Sequence, residues 1–237
     1  MKRFLLASTV FVASACATNA ATVTVTSVSG IWSSGVQTDG NAPAGLGTSS
    51  ISWGIPVTAG LYSGYTFAAA AVPFSPQAET TFTFGTLTHE NFPIYAPSLT
   101  SAVLNLAVTV DIDGVNQILT AQYSFVHNET PNTAGTCPAG STTVCDDVVS
   151  FSPIASSFDT IDVDGVLYTF LLDNFVNAKG VTVTNFLTAE DQSNTAQLVG
   201  RFTSEIPVSP VPVPAALPLL FGAIGALGLA ARRRKSA

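Results

Sequence analysis

Period-two alternation of apolar and polar residues, dense Gly and Pro punctuation, and the lack of any 3.6-residue apolar stripe predict an all-β fold for residues 22–206. The expected architecture is an antiparallel β-sandwich of jelly-roll-like or Ig-like type, flanked by an N-terminal signal helix and a C-terminal hydrophobic helix. Leu104, Leu106, Val108 and Val110 share one strand face. Leu119, Ala121, Tyr123 and Phe125 share another, opposite Thr120, Gln122 and Ser124, and Val166, Tyr168, Phe170 and Leu172 form a third. Ser33-Ser34-Gly35, Asp39-Gly40-Asn41, Ala42-Pro43-Ala44-Gly45 and Phe74-Ser75-Pro76 interrupt the runs. Roughly ten short strands are expected, with Ser33 to Ser50 as a long loop.

A weak internal repeat relates Val108–Val115 to Phe158–Val166, each ending in Asp-Gly-Val. Asp113-Gly114 and Asp164-Gly165 sit between alternating segments, where a tight hairpin turn needs positive φ, so both are expected to be hairpin tips. The carboxylate pairs Asp111/Asp113 and Asp162/Asp164 each fall on one strand face. They lack the further oxygens and the bidentate Glu of an EF-type loop. No cofactor and no metal are expected, a low-affinity calcium contact at these pairs being the alternative.

The most distinctive body segment runs from Phe82 to Tyr95, a Thr/Phe strand entering a break at Thr88-His89-Glu90-Asn91 before Phe92-Pro93-Ile94. Thr88 and Asn91 can satisfy loop backbone groups, and a buried His89 can bridge two loops through its ring nitrogens. Thr88, His89 and Asn91 are therefore candidate structural or ligand-binding residues. His89-Glu90 opens like a zincin helix, but Pro93 occupies the second His position and breaks the helix that chemistry needs. No catalytic residue is expected, since neither a Gly-x-Ser-x-Gly elbow nor a phosphate-cradling Gly loop is present.

Cys137 and Cys145 bracket a polar loop and read as a disulfide worth roughly 2–3 kcal/mol through loop closure. A zinc site there would need two more ligands, with His127 the only nearby candidate. Between the basic residues at the two extremes, Lys179 and Arg201 face all 15 acids, an acidic excess of 13. That balance repels phosphate and excludes nucleic acid as a partner.

The ends read as addresses. Residues 1–21 carry Lys2-Arg3, an apolar stretch too short to span a bilayer, and small residues up to Ala21, the layout of a secretory signal peptide. Cys16 as a lipidated terminus is the rival reading. Residues 207–214 form a Pro-rich linker, and 215–237 an uncharged helix closed by Arg232-Arg233-Arg234-Lys235. Val211-Pro212-Val213-Pro214-Ala215 with that helix and basic cluster resembles a PEP-CTERM sorting tail of the Val-Pro-Leu-Pro-Ala subtype. Together with Thr88-His89-x-Asn91 and Phe92-Pro93-Ile94, the chain resembles the THxN family of PEP-CTERM proteins.

The resemblance implies export by the Sec machinery and signal peptidase, transient inner-membrane anchoring by the C-terminal helix, and cutting by an exosortase-type protease. Of activity it implies only exported proteins without an assigned reaction; the expected function is that of a non-enzymatic cell-surface or extracellular-matrix protein, with extracellular polysaccharide as a candidate partner. A secreted glycan-binding module, stacking sugars on Trp32, Trp53, Tyr62 or Tyr65, is the alternative. A secreted hydrolase with two carboxylates across a groove is the third.

Overall fold

The alternation along the chain does become pleated strands. The computed structural model describes residues 21–206 apart from 134, 136, 157–159 and 178–179. It contains β1 (Val23–Gln37), β2 (Ser50–Trp53), β3 (Ile55–Pro56), β4 (Ser63–Ala69), β5 (Phe82–Asn91), β6 (Ile94–Tyr95) and β7 (Leu99–Ile112). The second half adds β8 (Val115–Asn128), β9 (Asp147–Ser156), β10 (Thr160–Val163), β11 (Val166–Asn177), β12 (Thr182–Val183), β13 (Asn185–Thr188) and β14 (Gln192–Glu205).

Two antiparallel sheets carry the architecture. One has the order β1-β7-β8-β9-β13; the other, curled into a half-barrel, runs β10-β11-β14-β5-β4-β2, with β12 paired to β11. A short ribbon, β3-β6, stands apart from both. The first sheet is organised around the β7–β8 hairpin, whose tip has Asp113 and Gly114 at φ 49° and 90°. The β10–β11 hairpin repeats the device with Asp164 and Gly165 at φ 52° and 80°. Asp111 and Asp162 each accept a hydrogen bond from the turn glycine's N–H, and Asp113 accepts one from Thr22 N–H. These carboxylates are turn-forming groups.

The inward faces of the two sheets make one apolar core. Leu104, Leu106, Val108 and Val110 of β7 meet Phe84 and Leu87 of β5, Leu198 of β14 and Phe170 and Phe175 of β11 within it. In β1 the inward positions pass from Val23 and Val25 to Gly30 and Trp32, an odd-to-even change. A bulge between Val25 and Ser27 causes it, since one extra residue flips every later side chain to the other face. Gly30 and Gly85 sandwich Phe67. A methyl group at either would stand 2.2 or 2.4 Å from that ring, so only glycine allows the strands to close over it.

Several expectations are corrected. The described residues contain strands and loops and no helix, so the sandwich has no flanking helices there. Residues 1–20 and 207–237, including Val211, Pro212, Val213, Pro214 and Ala215, lie outside the described residues. No helix of the described residues is long and apolar enough to cross a membrane, and the segment expected to anchor the chain, 215–237, lies outside them. Among the described residues the strands number fourteen, several of them long, and the expected loop from Ser33 is strand as far as Gln37. Bulges let β1 pass through the glycine and serine positions that read as breaks.

Candidate metal centre

Thr88, His89, Glu90 and Asn91 are the last four residues of β5, not a break after it. Period two therefore decides their faces: Leu87, His89 and Asn91 point inward and are buried, while Thr88 and Glu90 point outward. His89 lies opposite Tyr65 of β4 on one side and Asn194 of β14 on the other. The first sheet sends His127 towards it, continuing the inward row of Tyr123 and Phe125 on β8. Asp147 begins the inward row that Val149 and Phe151 continue on β9. The two sheets thus bring two imidazoles and a carboxylate together at one end of the core.

The geometry is tight. One ligand atom each from His89, His127 and Asp147 lies within 4.8 Å of the others. The His89 and His127 rings stand 5.1 Å apart at 90°. His127 Nε2 is 3.3 Å from Glu129 Oε2 and 3.6 Å from Asp147 Oδ2. Donors arranged tetrahedrally around a zinc ion at about 2.0–2.1 Å stand about 3.3 Å apart, which the two separations from His127 Nε2 approach, while the set with His89 spans up to 4.8 Å. On its other side, His127 Nδ1 hydrogen-bonds the Tyr65 hydroxyl at 2.7 Å, which fixes the ring. Trp53 stacks on His89 at 5.7 Å and meets His127 edge-on at 5.2 Å, walling the cluster with aromatic surface.

Hydrogen bonding leaves the cluster incomplete. His89 is fully buried, at 0% exposure, yet neither ring nitrogen has a hydrogen-bond partner among the described residues. Asp147 Oδ2, Asn91 Oδ1, Glu190 Oε2 and Trp53 Nε1 are likewise buried without partners. A buried polar atom left unpaired costs about 1–3 kcal/mol, so a concentration of them at one place calls for a ligand.

Burial, reinforced by His127, holds His89 well below the ordinary imidazole range, so its ring is neutral and can donate a lone pair. Burial and then the charge of Glu129 lift Asp147 to about 7. Burial likewise lifts Glu190 to about 7. Burial first, then the charges of Asp147 and Glu129, raises Tyr65 well above the usual phenol range. Carboxylates crowded so closely favour a cation among them.

The surrounding loops hold the carboxylates in place. Thr130 donates from its backbone N–H to Asp147 Oδ1 at 2.7 Å and from its hydroxyl at 3.2 Å, and that hydroxyl also bonds the Cys145 carbonyl. Asn91 Nδ2 donates to Thr188 O at 2.8 Å and to Glu190 Oε1 at 2.9 Å, tying β5 to the β13–β14 connection. Cys137 and Cys145 form a disulfide, with Cα atoms 4.6 Å apart.

Of the motif residues, His89 and Asn91 reach the centre, while Thr88 lies half-buried on the opposite face. His89 does not bridge two loops, because neither ring nitrogen makes a hydrogen bond. His127 and Asp147 were not expected here. His127 could have been found as the next inward position after Phe125, and Asp147 as the start of the Asp147-Val149-Phe151 row. That the two rows meet His89 depends on sheet pairing, which no local pattern gives.

The aromatic residues suggested for sugar stacking are placed otherwise. Trp32 and Tyr65 are 0% exposed and Trp53 3%, all committed to the core; only Tyr62, at 50%, faces solvent. A groove of about 630 Å³ between β5, β11 and β14 is lined by one carboxylate, Asp173. The sorting-tail and THxN resemblance, with the export, exosortase, polysaccharide and surface-matrix roles it implied, has no support in comparison with known proteins. No family model matches the chain, and no curated protein matches it.

Proposed function

We propose that the chain is a non-catalytic metal-binding β domain that takes one divalent cation, of which zinc fits best, on His89, His127 and Asp147, with Glu129 completing the set. The observation that carries this reading is His89: a fully buried imidazole with both nitrogens unpaired, facing a second imidazole and a buried carboxylate oxygen that also lacks a partner. Two nitrogens and two oxygens are a donor set suited to zinc, and the separations around His127 suit tetrahedral coordination. Tyr65, bonded to the far nitrogen of His127, orients that ring as second partners of metal-bound histidines do.

A structural role follows from enclosure. The His127 and Asp147 side chains are 0% exposed and that of Glu129 16%, and Trp53 and Tyr65 cover the rings. Catalytic zinc keeps an open position for water and substrate, whereas structural zinc is closed. The ion would lock the two sheets at the end where the polar groups interrupt the apolar core. Elemental analysis after dialysis tests this directly. Near one equivalent of zinc is expected in the wild type and none in a His89→Leu, His127→Leu double variant that keeps its β circular dichroism.

A further inference from the structure

We propose that the Cys137–Cys145 disulfide controls the affinity of the centre, so that reducing the bridge releases the metal; this rests on the metal-binding reading above. The bridge closes a loop of sequence separation 8 that ends two residues before Asp147. Cys145 sits at φ 58°, the left-handed region that is strained for a residue with a β-carbon and persists only where the surroundings impose it. Two constraints impose it: the covalent bond to Cys137, and the hydrogen bond from the Thr130 hydroxyl to the Cys145 carbonyl. The same Thr130 positions Asp147 Oδ1 through its N–H. Relaxation of Cys145 to negative φ would therefore swing the next two residues and pull the Asp147 carboxylate from His127.

A second path leads from the same loop to the rest of the acidic wall. Asp146 accepts hydrogen bonds from the N–H groups of Thr142 and Thr143, each at 2.8 Å, and Thr143 Oγ1 in turn accepts one from Glu190 N–H at 2.9 Å. The bridged loop thus sets both the ligand Asp147 and the segment carrying Glu190.

The chemistry needs only an external dithiol. Its thiolate attacks the half-buried Cys137 sulfur, Cys145 being 3% exposed. The Sγ–Sγ bond breaks, the dithiol leaves as its own disulfide, and its two electrons and two protons end as thiols on Cys137 and Cys145. The cation keeps its oxidation state. Loss of a group that orients a ligand weakens metal binding by about 10–100-fold, and that is the effect expected of reduction.

The test is zinc titration with a chromophoric competitor on three forms: oxidised protein, protein reduced and then freed of reductant by anaerobic gel filtration, and Cys137→Ser, Cys145→Ser. The oxidised form should bind one equivalent, and the other two about 10–100-fold more weakly. Amide exchange should show loss of protection at Thr130 and Asp147, with β5 and β14 unchanged. Equal zinc affinity in all three forms overturns the redox control and leaves the metal site standing. No zinc uptake by the oxidised protein overturns both. Loss of protection throughout the domain on reduction also overturns it, since the bridge is then a general staple.

Discussion

His89 and Asp147 come from opposite sheets, and each brings buried polar atoms without a hydrogen-bond partner into one cluster. Neither has a reason to face the other in a core designed only for apolar packing. The alignment is costly to the folded protein unless a cation joins them.

His89→Leu should separate folding from binding. In metal-free protein it removes two unpaired buried nitrogens without orphaning any partner, so stability should be unchanged or rise by up to about 1–3 kcal/mol. Zinc should then no longer raise the melting temperature. A variant destabilised in chelator as strongly as a cavity mutant would mean that the ring packs as a structural side chain.

Asn91→Ala acts on the frame around the site. Its amide donates to Thr188 O and to the Glu190 carboxylate, and loss of these buried hydrogen bonds should cost about 1–3 kcal/mol. Chemical denaturation in chelator reads this. Thr88→Ala, on the outer face of the same strand, should change stability by no more than about 0.5 kcal/mol.

Stability of the metal-free protein should fall as pH rises from about 5 to 7. Asp147 and Glu190 hold their protons in the folded state to about 7, above their unfolded values, so their contributions are lost as pH rises through that value. His89 works the other way: its depressed folded value adds stability as pH rises towards its unfolded value of 6.5. With two carboxyls against one imidazole, the folded state binds about one more proton than the unfolded chain near pH 5.5. Melting temperatures in chelator that climb across this range would contradict the assignment.

Gly30→Ala tests the packing account away from the centre. Its methyl would lie 2.2 Å from the Phe67 ring, which Gly85 blocks from retreating on its other side. Overpacking should cost about 1–3 kcal/mol in a denaturant titration, with zinc affinity unchanged.

Much of the fold was legible because each strand carries its own alternation. The rows at Leu104–Val110 and Leu119–Phe125 are inward faces, and both Asp-Gly pairs are hairpin tips. The same rule places His127 inward after Phe125, and it carries β5 through Thr88-His89-Glu90-Asn91, which were expected to be a break. The site itself was half legible. His89 stood out, but its partners arrive by long-range pairing: β8 and β9 lie in one sheet and β5 in the other. Nothing near Asp147 in sequence marks it as a ligand, and the burial that makes it one is a property of the assembled sandwich. The flanking segments resembled known sorting signals through short, low-complexity patterns, which the family comparison does not support.

Isothermal titration of the oxidised, metal-stripped chain with zinc tests the central claim most directly, paired with thermal melts of the same samples. The account predicts saturation at one equivalent and, at free zinc 100 times the dissociation constant, about 2.7 kcal/mol of added stability. Both effects should vanish in Asp147→Asn, which keeps an oxygen for Thr130 but loses the charge. No heat and no shift in melting temperature in the wild type, or a zinc response undiminished in Asp147→Asn and His89→Leu alike, would contradict it.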